Sequence, residues 1–284
     1  TMRICLEEVR RCQQLSPRPN FAVLLGDRYG WEPPPARIPL QHWRRLVAAA
    51  SPADRKRIRA GYRGPDRNAL PPVYHLKKRQ DAWSEAEARE NEVRDALRRA
   101  ADAAGFVGDE RLPYFASATH QEIALGALLN EDAREHVHVY VRHIDGLPSD
   151  ESAREFIDWD GGQGCIVRGA RDRLRSLEQD LRNRLGGQVQ DVRTHWHRHG
   201  RDGAVDDAYI KAFCVDFLAH QQALIEAELG SLERTDEMTE RERAHAAFGL
   251  SRSKVFAGRK KLLARIARYC HQFTVKKGPL VLLG

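Results

Sequence analysis

Paired cysteines, long apolar runs and lysine are all missing or scarce in this chain, and each shortage argues against a class of protein. The five cysteines (Cys5, Cys12, Cys165, Cys214 and Cys270) are odd in number and scattered, with no CxxC spacing. That argues against a disulfide framework and a cysteine-rich zinc site, and for reduced thiols in a cytoplasmic compartment. Cys5 and Cys214 sit in apolar company and read as small core fillers. No apolar run approaches the roughly 20 residues of a membrane helix. The opening TMRICLEEVRRC has acids where a signal peptide has an apolar stretch. A soluble chain without a membrane partner is expected. Internal repeats, low-complexity tracts, GxGxxG, HExxH and a Ser-His-Asp order are absent as well.

What is present is a globular composition: 284 residues, 42% hydrophobic and 31% charged, enough for one or two domains. The net charge is +7, yet only nine of the 47 cations are lysine. The arginines mostly alternate with 40 acids along helical stretches, as on solvated faces laced with ion pairs. Arg252–Arg268 departs from this, since it carries Lys254, Arg259, Lys260, Lys261 and Arg265 and no acid. That basic helix is a candidate face for an acidic protein or a nucleic acid.

Periodicity divides the chain. Residues 2–14 read as a helix with Ile4, Cys5, Val9 and Cys12 on its apolar face. FAVLLG (21–26) has the continuous apolar character of a strand buried on both faces. Residues 32–82, rich in Pro and Arg, read as an elaborated insertion with a helical islet at Trp43–Ala50 and an extended PPVYHL. Glu85–Ala104 is a helix with Val93, Leu97 and Ala101 as its stripe and Gly105 as its stop. SATHQEIALGALL reads as a short helix, and the alternating Val137, Val139 and Val141 mark a strand. Further on, Leu174, Leu177, Leu181 and Leu185 form one helical face, Gln188–Val192 a short strand, and Asp206–Leu232 and Arg252–His271 two more helices. The expected organisation is an α/β domain over 1–150, a mainly helical connector over 151–278, and a strand, LVLLG, at the end of the sequence. No Gly-Lys-Ser/Thr follows that strand, so the chain itself lacks a phosphate loop and carries no cofactor of its own.

ICLEEVRRC, NFAVLLGDRYGWEP, SATHQEIALGALL and HVYVRHIDGLP together resemble the TIR-like domain of unknown function that precedes NACHT ATPases. That domain occurs in nephrocystin-3-like and telomerase-associated-protein-like proteins and in bacterial WD-repeat or TPR NTPases. The resemblance spans about residues 2–150 and is most specific in LLGDRYGW. It implies a flavodoxin/TIR-like parallel sheet, here without the family's opening strand and helix and its next strand. Residues 151–278 then correspond to the connector, and 279–284 to the first strand of a truncated P-loop NTPase domain. The implied function is a signalling or effector segment of a STAND (NACHT-type) NTPase, in bacterial immunity or signalling. It would act on self-oligomerisation through a downstream domain that binds ATP and Mg.

The resemblance also implies candidate chemistry. TIR domains and nucleoside deoxyribosyltransferases cleave N-glycosidic bonds with a glutamate at a helix start, and THQEIALGA (119–127) is similar to the latter's string. Glu122 is the candidate catalytic carboxylate, with NAD or a nucleotide as substrate, because an oxocarbenium-like state needs a nearby anion. Asp27, Arg28, Tyr29 and Thr119 are the candidate substrate-binding residues. A purely structural role competes: Thr119 to Glu122 has the spacing of a capping box, and Asp27 suits a turn. In His195-Trp196-His197-Arg198-His199, Arg198 and the nearby Arg201 would repel a cation, so a polar loop is expected there rather than a metal site. Trp31 and Trp43 read as packing anchors.

Overall fold

Helix α1 (Met2–Leu15) leads into strand β1 (Ala22–Leu25), the order read from the sequence. Strand β2 (Arg37–Pro39), helices α2 (Leu40–Ala49) and α3 (Pro52–Gly61), and strands β3 (Tyr62–Asp66) and β4 (Val73–Leu76) follow. Next come α4 (Trp83–Ala103), α5 (Gly108–Phe115), α6 (Ala118–Ile123), a π-helical turn over Ala124–Leu128, α7 (Ala133–His136) and β5 (His138–Asp145). The chain goes on through a small hairpin, β6 (Trp159–Asp160) and β7 (Cys165–Ile166), to α8 (Ala170–Leu185), β8 (Val189–His199), β9 (Asp202–Val205) and α9 (Ala208–Leu232). The computed structural model describes residues 2–16, 18–77, 83–199, 202–232, 237–253 and 260–271.

The chain forms two units, Thr1–Leu232 and Glu233–Gly284. The first is α/β and built on a parallel-dominated sheet of order β1-β5-β8-β9, as expected of a flavodoxin/TIR-like architecture. β1 and β5 run parallel with Ala22 opposite His138, and β5 and β8 run parallel with Val139 opposite Val189. β9 closes the sheet as an antiparallel hairpin on the far end of β8. Because successive side chains of a strand alternate between faces, Val23, Leu25, Val139 and Val141 share one face. There they meet Leu174, Leu177, Leu181 and Leu185 of α8, with Ile123 and Ala127. Those leucines recur at helical spacing, and Gly186 ends α8 at φ +56°, its N–H donating to the Arg182 carbonyl. Gly126 is required in the π turn, because a Cβ there would stand 2.5 Å from the Phe21 ring.

The segment read as an insertion over 32–82 helps to build a second core. β2, β4 and β3 form an antiparallel sheet in that order. Ile38, Trp43, Leu46, Ile58 and Tyr62 pack there against Val93, Leu97, Phe106 and Tyr114. The main sheet also reaches past residue 150: β8 is its third strand and includes His195–His199, which the sequence reading placed in a loop. Those histidines alternate along a paired strand whose polarity hid its periodicity.

On the other face of the sheet lies α9. Phe213 and Phe217 contact the Tyr140 ring at centroid distances of 5.0 and 5.9 Å. Tyr140 also shares a 3.0 Å hydrogen bond with His220 Nδ1, and Asp216 pairs with the same nitrogen at 3.2 Å. The helix is apolar on its outer side too: Leu218, Ile225 and Leu229 are 46–57% exposed, and Cys214 is exposed. Cys214 is thus a surface residue and not a core filler. Cys5 is half-buried, while Ile4 and Cys12 of the expected α1 face are exposed, as is Trp31. The second unit contains α10 (Glu237–Ser253) and α11 (Lys260–His271). Val255, Phe256 and the expected strand at 280–284 lie outside the described residues. No helix among the described residues is long and apolar enough to cross a membrane.

Candidate functional site

Parallel strands bring their carboxyl ends to one edge of a sheet, where ligands of open α/β folds sit. Here that edge carries Gly26-Asp27 after β1, Arg142 to Asp145 of β5, and Val192 to His195 of β8. On the α8 side, His143 Nε2 and Asp191 Oδ1 are 2.7 Å apart. Arg182 donates to Asp191 at 2.5 Å and to Glu178 at 2.7 Å. One donor atom each of His143, Glu178 and Asp191 lies within 4.8 Å of the others, a spacing that suits a cation. The Arg182 guanidinium already supplies that positive charge, and together with His143 it holds the Asp191 carboxyl below its ordinary range.

Asp27 sits half-buried beside this group, and its Oδ2 has no hydrogen-bond partner. Burial pushes its carboxyl up, opposed by Arg142, His143 and Arg171. On the α9 side a cavity of about 330 Å³ is lined by Leu24, Tyr140, Arg142, Val192 and Phe213, among others. Arg142 lies so close over the chain that a Cβ on Gly26 would be 2.9 Å from its Nη2. An apolar cleft with one guanidinium can seat an anion, but among the described residues no carboxylate lines it for acid–base work.

Arg28 and Tyr29 belong to the loop after β1. Tyr29 is 3% exposed, so its ring cannot stack on a base. Its hydroxyl accepts from the Ser117 N–H at 3.3 Å and shares a 2.8 Å hydrogen bond with His120 Nδ1. The N–H groups of Tyr29 and Gly30 both donate to the Asp158 carboxylate, at 2.7 and 2.9 Å. Gly30 is needed there because its φ of +89° is disfavoured for any side chain. The Trp31 carbonyl accepts from the Ala118 N–H at 2.8 Å, joining this loop to the start of α6. Glu32 is then clamped between Arg98 and Arg173. The LLGDRYGWE string is therefore bound through most of its length by structural contacts. Arg28 is exposed and reaches the Glu155 carbonyl at 3.4 Å.

Two readings at α6 are corrected. The N-cap is Ser117, whose Oγ accepts from the His120 N–H at 3.2 Å. Thr119 is the second residue of the helix and exposed, so Thr119 and Glu122 form no capping box. Glu122 is half-buried on the helix that packs against α1, and after burial its carboxylate is a cause of the raised pKa of the Cys5 thiol. The structure thus joins Tyr29 and Gly30 to the start of α6, whereas Asp27 groups with Arg142 and His143. Asp158, Glu32, Arg98, Arg173 and Arg182 escaped the sequence reading. Only Glu32, directly after the conspicuous string, carried any signal.

Over its whole length the chain is similar to NACHT domain- and WD repeat-containing protein 1 of Homo sapiens, with 28% identity over 300 aligned positions. The Mus musculus protein of the same name is 27% identical over 300 positions. The chain spans 19% of the length of these curated relatives. No protein-family model matches it, and no solved structure does. A link to NACHT proteins follows from these similarities.

Proposed function

We propose that this chain is a signalling segment of a NACHT-type NTPase and acts by association when the NTPase assembles. The whole-length similarity to NACHT- and WD-repeat-containing relatives carries this reading. The sequence has no Gly-Lys-Ser/Thr, so ATP and Mg would bind in a NACHT domain outside it. Two structural features support association over catalysis. Asp191 and Glu178 beside the strand ends are engaged by Arg182 and His143, and Glu122 lies on the helix that packs against α1, away from them. The outer side of α9, by contrast, leaves Leu218, Ile225 and Leu229 open, and exposed apolar side chains gathered on one helix suit an interaction site.

The test uses the full-length protein with ATP. Leu218→Glu with Ile225→Glu should abolish ATP-dependent assembly in light scattering while leaving the melting temperature within about 2 °C, since both positions are exposed. NAD should not be consumed, and Glu122→Gln should change nothing. NAD consumption by the wild type that disappears in a folded Glu122→Gln variant would instead make the TIR-like segment a glycohydrolase.

A further inference from the structure

The second core carries an open groove of about 870 Å³ that the NACHT reading leaves unused. Its apolar wall includes Trp43, Val47 and Tyr74, with Pro65 and Pro72 at the side. Three arginines line it, each from a different element: Arg44 from α2, Arg55 from α3 and Arg67 from the loop between β3 and β4. Among the described residues no acid lines it. The neighbouring Asp66 is occupied, pairing with His75 at 3.3 Å and accepting from the Asn68 N–H at 2.9 Å.

The arginines differ in their freedom. Arg55 is fixed by the carbonyls of Val47 and Ala50, at 2.9 and 3.1 Å, and so is a positioned charge. Arg44 and Arg67 are exposed and form no ion pair among the described residues. Positive charge around an apolar floor, without internal compensation, calls for a ligand that is anionic and apolar at once.

The aromatic geometry decides between two such ligands. Trp43 is 7% exposed, with one face stacked on Tyr74 at 3.8 Å and 7° and Tyr62 set edgewise at 5.7 Å. Stacking of bases requires an open ring face, and the indole, stacked on Tyr74 and 7% exposed, offers only an edge of apolar wall. Aliphatic or aromatic side chains of a peptide need only an apolar wall. We infer that this groove docks an acidic peptide segment of a partner protein. Its apolar side chains seat against Trp43, Val47 and Tyr74, and its carboxylates meet Arg44 and Arg67.

The experiment is fluorescence anisotropy of the full chain with a labelled 12-residue peptide of repeating Glu-Leu-Glu-Phe. A peptide with Lys for Glu and a 12-nucleotide oligo-dT serve as comparison probes. The acidic peptide should bind and the lysine peptide should not. Arg44→Glu with Arg67→Glu should weaken the acidic peptide roughly tenfold or more. Arg44→Lys with Arg67→Lys should stay within about threefold, since the charge is kept. Both side chains are exposed, so the reversed variant should melt like the wild type. Absence of acidic-peptide binding to the wild type would overturn the proposal, and so would equal binding to the charge-reversed variant. Oligo-dT binding as tight as the peptide and lost in the same variant would overturn it in favour of a nucleic-acid partner.

Discussion

Glu32 sits with only 10% of its side chain exposed, between Arg98 of α4 and Arg173 of α8. Arg173 also lies over the Tyr29 ring at 5.1 Å, so one carboxylate organises the loop after β1 from both sides. Breaking a buried pair by removing one partner is costly because the remaining charges lose their compensation. Glu32→Gln would leave two guanidiniums facing each other, and a loss of about 3 kcal/mol in urea unfolding is expected. A change below about 0.5 kcal/mol would mean that water already screens the trio.

The start of α6 separates two side chains that the sequence could not rank. Ser117→Ala removes the oxygen that accepts from the His120 N–H and should cost about 1 kcal/mol. Thr119→Ala, at an exposed helical position, should stay within about 0.5 kcal/mol. Denaturant midpoints of the two variants check the assignment, and the reverse order would restore Thr119 as the cap. The misplacement has a physical origin. Ser117 and Thr119 both have capping chemistry, and the choice between them is made by the loop that presents Ala118 to the Trp31 carbonyl. Elements whose periodicity is carried by apolar residues were readable: the leucines of α8, Val139 and Val141 of β5 and the existence of β1 fall where the pattern puts them, but β1 is an edge strand buried on one face only, with Leu24 61% exposed. β8 was read only over its first residues, because beyond Val192 every side chain but Thr194 and Trp196 is arginine or histidine, with Arg193 paired to Asp145. The second core was hidden because its strands are only three to five residues long and include Pro39 and Pro65. At the candidate site, spacing could suggest Asp27 and Glu122, but not Asp158, which reaches Tyr29 from 129 positions away.

Across the first unit as a whole, His42, His120 and His138 share one bias: burial lowers the pKa of each from its ordinary value of 6.5. Groups depressed on folding take up protons more readily in the unfolded chain. Their stabilising contribution is therefore complete above pH 6.5 and is lost as pH falls from there through the folded-state values. Thermal midpoints should drop between pH 7.5 and 5.5, and His138→Gln should flatten part of that drop; a flat profile in the wild type would contradict it. His138 belongs to the seat of α9, where its ring stacks on His220 at 4.2 Å. A helix with aliphatic residues on its outer side gains almost as much by burying one face as another. Its apolar residues say that it should lie on the sheet, but not how it should be rolled about its own axis. That information comes from a few polar atoms of the sheet, the Tyr140 hydroxyl and the Gln190 amide on His220, which would lose their partner at any other rotation. Attraction and address are thus written in different residues.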